Sequence, residues 1–116
     1  MLDIELTKSW FAARPEAFKV LLLLRVMHEL TIVLRVISTS GDDDVMRRSA
    51  WIISECNHRL VGYAFGVMTQ RPRYPDEVIV GILFDYLGHA TLEPYTHGVW
   101  DKAVEDATNF GANLLR

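Results

Sequence analysis

Glu55-Cys56-Asn57-His58 is the pattern in this chain best suited to chemistry. On a helix, residues three apart sit about 60° from each other around the axis and roughly 4.5 Å along it, so the Glu55 carboxylate and the His58 imidazole can reach one divalent cation. Arg59, four residues after Glu55, offers a plainer role, an ion pair along the helix surface. Together with Arg48, these three side chains form a polar edge open to a partner: Arg48, Glu55, His58 and Arg59. A second group brackets a turn, with Asp85 four residues before His89, His97 four before Asp101, and Trp100 beside them. A carboxylate at that spacing orients an imidazole or raises its basicity, so the five residues predict a small polar and aromatic pocket. The plainer reading is that they cap and staple two helix ends.

Most other chemistries lack their residues. The Glu-x-x-His spacing resembles the ligand motif of ferritin-like di-iron bundles, but those need two such pairs and two further glutamates, and here one pair exists. The expectation is therefore no cofactor, with a divalent metal on Glu55 and His58 as the alternative. Cys56 falls on an apolar stripe, where a thiolate is disfavoured, and no Gly-x-Ser-x-Gly elbow, phosphate-binding glycine loop or His-Glu-x-x-His pattern occurs. The expected shape is similar to that of helical ribonucleases of the HEPN class, whose Arg-(x)4–6-His spacing has no match: Arg48 precedes His58 by ten residues and Arg25 precedes His28 by three.

The elements that must carry these groups are helices. Breakers at Pro15, Ser38 to Gly41, Pro72 to Pro75 and Gly88 to Pro94 leave four periodic segments. The first, from Pro15 to about Ser38, gathers Leu22, Val26, Leu30, Val33, Leu34 and Ile37 on one face and Arg25, His28, Glu29 and Arg35 on the other. Val20, Leu21 and Leu24 also fall on its polar side, so its early turns need a second apolar partner. The second runs from about Asp43 to Thr69 behind an acidic start at Asp42-Asp43-Asp44, and buries Val45, Ile52, Cys56, Leu60, Tyr63, Ala64 and Val67. The third starts at Asp76-Glu77 and ends on a left-handed Gly88. The fourth, from Pro94 or Thr96, sets Trp100, Ala103, Val104, Ala107, Phe110 and Leu114 against the core. Residues 4 to 13 add a short helical arm. The expected fold is all-α, a four-helix antiparallel up-and-down bundle with that arm, in one domain over 1–116.

Composition bounds the function. The 116 residues are 50% hydrophobic and 23% charged with a net charge of −3, which excludes a disordered chain and gives no overall field toward nucleic acid or anionic lipid. Lys19, Arg25, His28, Glu29 and Arg35 interrupt the most apolar stretch, so no membrane span is expected. Two acids in the first five residues do not suit a secretory signal, and Cys56 is the only cysteine; the expected home is the cytoplasm. Residues 45 to 75 sum to +4 through Arg47, Arg48, Arg59, Arg71 and Arg73, whereas 76 to 106 sum to −6. That polarity suits subunit or protein contacts more than nucleic acid, and phosphate binding through the Arg47–Arg73 segment stays a third reading. Apolar excess on the first and third helices, with Gly62-x-x-x-Gly66, predicts a homodimer. The expected activity is non-enzymatic: a self-associating binding or regulatory module, with a metal-dependent enzyme or sensor as the alternative.

Overall fold

The computed structural model describes residues 4–40, 43–72 and 74–114. Gly41, Asp42 and Arg73, which the sequence places in turns, lie outside the described residues. The described chain is all-α: α1 (Ile4–Ala12), α2 (Glu16–Ser40), α3 (Asp43–Thr69), α4 (Asp76–Leu87), the single turn α5 (Glu93–Thr96) and α6 (Val99–Leu114). No strand occurs among the described residues. No helix among them is long and apolar enough to cross a membrane.

α2 is the centre of the assembly, packed on α3 along one side and on α6 along another, while α4 packs on both α3 and α1. α2 and α3, neighbours in sequence, pack on each other. Asp43 and Asp44 sit in the first turn of α3, where carboxylates oppose the positive end of the helix dipole. α3 ends where Gln70 adopts φ 56° and the Arg71 N–H donates to the Gly66 carbonyl at 3.0 Å, a left-handed cap without a glycine.

The arm is more than an appendage. Phe11 of α1 is fully buried, with its ring 6.3 Å from Tyr63 of α3 and 6.4 Å from Trp100 of α6, whose ring lies 5.3 Å from Phe84 of α4. Trp10 meets Phe18 edge-on at 6.0 Å. α1 meets the start of α2 at Phe18 and Lys19, and Val20 and Leu21 are half-buried with Leu23 buried, but Leu24 is 50% exposed, so the second apolar partner expected for these turns is found only in part. Gly81 of α4 faces Lys8 of α1, where an added Cβ would stand 3.9 Å from the Lys8 Cε.

Four expectations need correction. Gly88 ends α4 at φ −88°, not in a left-handed conformation; its N–H donates to the Phe84 carbonyl at 2.9 Å, and an added Cβ would lie 3.1 Å from that oxygen. Crowding, not handedness, accounts for the glycine. The expected fourth helix is split, because Gly98 at φ 81° separates α5 from α6, a conformation glycine adopts without strain. Phe110 is exposed, since α6 runs past the core it covers; the Leu114 side chain lies outside the described residues.

The fourth correction concerns charge. Glu29, expected on the hydrated stripe of α2, is buried: Arg25 donates to it at 3.1 Å and Lys102 of α6 lies 3.3 Å away. Arg25 also reaches Asp106 of α6 at 2.7 Å, so four charges join α2 to α6. Lys19 is buried as well, bonded to Asp76 at the start of α4 at 2.5 Å, with Glu16 at 3.6 Å and the Phe11 ring centre at 5.7 Å. The Tyr63 hydroxyl donates to the other carboxylate oxygen of Asp76. Buried charges are tolerated only when paired in this way.

Candidate functional site

α3 buries Ile52, Ile53, Cys56, Leu60 and Tyr63, which leaves its opposite side outward over its whole length. Glu55, His58 and Arg59 lie on and beside that side because they fall between the buried positions of a 3.6-residue repeat. They converge with Gly62 and Tyr74 on a depression of about 230 Å³. Within it Glu55 and Arg59 form an ion pair at 3.4 Å, and the Arg59 guanidinium donates to the Tyr74 hydroxyl at 3.4 Å. The Arg59 pKa is raised above its ordinary value, chiefly by a side-chain hydrogen bond with Tyr86, with partial desolvation opposing and Tyr74 and Glu55 adding. The site presents a guanidinium held in place, a carboxylate already engaged by it, and an exposed imidazole. It suits recognition through hydrogen bonds and charge.

No group of three or more His, Cys, Asp or Glu side chains placed to hold an ion occurs among the described residues. Cys56 is buried behind the site, and burial pushes its thiol up to about 12, so it supplies no thiolate near neutral pH.

Arg48, the fourth residue of the expected polar edge, belongs to a different groove. It lines a cavity of about 440 Å³ between α3 and the turn after α4, with Arg47, Trp51, Ile52, His89 and Thr91. The five residues expected to share one pocket are dispersed. His89 faces that groove and accepts the Thr91 N–H on Nδ1 at 3.2 Å. His97 lies beside Glu93 at 4.0 Å instead of Asp101, and it lines two other depressions of about 250 and 380 Å³. Trp100 is buried in the core against Phe11 and Phe84, while Asp85 and Asp101 are exposed. The physical reason is the helical repeat of α6: Trp100 shares the buried stripe with Ala103 and Ala107, so the neighbouring Asp101 falls on the exposed side, and Gly98 at φ 81° separates this helix from His97.

Two residues that shape these surfaces are missing from the expected set, Trp51 and Tyr74. Trp51 stood next to Ile52 on the outward side of a clearly periodic helix, which is the signal that could have found it. Tyr74 sits in a Pro-rich turn and has no comparable signal.

Comparison of the chain with protein-family models, curated proteins and solved structures finds no match.

Proposed function

We propose that this protein is a non-enzymatic, self-associating binding module of a reducing compartment, in which a second copy docks on the outward face of α3. The observation that carries the reading is Gly62. A glycine within a helix costs about 0.5–1 kcal/mol relative to alanine, and here an added Cβ would meet nothing within 4 Å among the described residues, so no contact among them accounts for it. A flat spot of this kind lets another helix backbone approach closely. Around it stand Val61, Phe65 and Met68, which are 51%, 56% and 73% exposed.

The face is self-complementary. An antiparallel pairing about a two-fold axis at Val61–Gly62 sets each Phe65 ring against the partner's His58 and each Val61 against the partner's Gly62. Phe65 leaves on the order of 100 Å² of ring in water, and covering it in both copies contributes on the order of 5 kcal/mol. The Glu55, His58 and Arg59 edge borders the seam, with Glu55 and Arg59 paired to each other within each copy.

Sedimentation equilibrium tests this. The untagged chain is expected to weigh twice its 13.3 kDa at on the order of 100 µM. Gly62→Leu and Phe65→Lys, both at exposed positions, are expected to give monomers with unchanged helical circular dichroism. A wild-type mass of 13.3 kDa, or variants that sediment as dimers, would overturn the proposal.

A further inference from the structure

We propose that the groove between α3 and the turn following α4 binds a free nucleotide, holding its phosphates with Arg47, Arg48 and His89 and its base against Trp51. The groove has a volume of about 440 Å³, within the range of small-molecule sites. Its lining is one-sided in chemistry: two guanidiniums, an imidazole, the Thr91 hydroxyl, an indole and the buried Ile52 as an apolar floor, with no carboxylate among the described residues. The Thr91 N–H occupies Nδ1 of His89, which makes the neutral ring the Nε2–H tautomer and leaves a donor as its remaining polar atom. Every charged side chain there calls for an acceptor-rich, anionic ligand.

The cations are free to take one. Arg48 makes no ion pair among the described residues, and the Arg47 pair with Asp44 at 2.9 Å is solvent-exposed on both sides, a kind of pair worth little in water. Two guanidiniums one residue apart can share a diphosphate through forked hydrogen bonds. Trp51 is 67% exposed, whereas Trp100 is buried and Trp10 is half-covered by Phe18. An indole held open beside two arginines is a stacking platform for a planar ring, and arginine stacks in the same manner.

A polyanion fits less well than a free nucleotide. Strand binding draws its affinity from many phosphate contacts, but only two cations among the described residues line this groove. Arg59 is engaged with Glu55 at the other depression, and residues 76 to 106, which supply the groove's far wall, carry seven acids against one lysine.

Isothermal titration and Trp fluorescence at low salt test the assignment with ADP, GDP, CDP and UDP, with pyrophosphate and adenosine as the two halves, and with a short single-stranded RNA. At least one nucleoside diphosphate is expected to quench fluorescence and to bind about 10-fold or more tightly than either half. Arg48→Ala is expected to lose about 10-fold for the nucleotide and for pyrophosphate alike, and Trp51→Ala to lose the nucleotide's advantage while keeping pyrophosphate binding. Both substitutions sit at exposed positions and each checks the other. Failure of all four nucleotides to bind the wild type, or variants that titrate as wild type, would overturn the proposal. Tighter binding of RNA, with a steep salt dependence, would also overturn it and assign the groove to a strand.

Discussion

Replacing Asp76 with alanine is the severest surgical test of how this chain holds together. The carboxylate accepts from Lys19 of α2 and from the Tyr63 hydroxyl of α3, at the first residue of α4, so one side chain ties three helices. Lys19 is 4% exposed at its side chain, and without Asp76 its remaining acid among the described residues is Glu16, half in water at 3.6 Å. Removing one partner of a buried pair leaves an uncompensated charge and costs about 3–5 kcal/mol. Domains of this size are stable by only about 5–15 kcal/mol, so the loss is a large share of the total. Urea unfolding followed by far-ultraviolet circular dichroism measures it. The decisive arm is the double variant Lys19→Met with Asp76→Ala, which removes both charges. It is expected to recover on the order of 2 kcal/mol relative to Asp76→Ala alone, since neutral residues carry no such desolvation penalty. A loss below about 1 kcal/mol for Asp76→Ala, or a double variant no more stable than the weaker single one, would refute the pairing as the stabilising element.

Burial raises the Cys56 thiol to about 12 from 9.0, so the unfolded state releases its proton first. The stabilisation is complete below pH 9 and is lost as pH rises from about 9 to 12, by roughly 4 kcal/mol in all, and comparison with Cys56→Ala in urea across that window isolates it. Gly98→Ala places a side chain at φ 81° and is expected to lower stability by about 1–2 kcal/mol through strain alone, since nothing among the described residues lies within 4 Å of the added Cβ; an unchanged unfolding midpoint would contradict that. The buried Thr96 hydroxyl lies 2.6 Å from the Leu87 carbonyl and 3.2 Å from that of Leu92, joining the end of α4 to α5, so Thr96→Val is expected to cost about 1–3 kcal/mol in the same assay.

What could be read from the sequence was local. α3 was legible from end to end, Asp43 to Thr69, because acids mark its start and one apolar stripe runs unbroken through it. The convergence of Glu55, His58 and Arg59 follows from spacing on a single helix and needs no knowledge of the fold. Glu29 was misplaced because side-chain type alone assigns a charge to water, and the same rule gives no sign that Lys19 is buried. Their burial depends on Asp76 and Lys102, which lie 57 and 73 residues further along the chain. The five-residue pocket failed for a related reason. Its members are adjacent in sequence around a turn, but whether they meet depends on the direction in which α6 leaves Gly98, and Trp100 is drawn inward by Phe11 from the opposite end of the chain. The groove of Arg47, Arg48, Trp51 and His89 likewise forms only when α3 and the turn after α4 come together.

The two surfaces assigned to α3 do not compete for it. Trp51 and Phe65 are fourteen residues apart, roughly 21 Å along the axis, and a pairing centred on Val61–Gly62 carries Trp51 beyond the end of the partner's α3, which stops at Thr69. Antiparallel association would therefore cover the C-terminal part of each α3 and leave one groove at either end, separated by roughly 30 Å along the paired helices. The inner side of α3 is fixed by Cys56, Leu60 and Tyr63 in the core and by the Tyr63–Asp76–Lys19 chain at its far end. A helix anchored in that way presents both outer surfaces on one stiff rod, so neither needs to be ordered at the moment of contact, which is where a small bundle can save binding free energy.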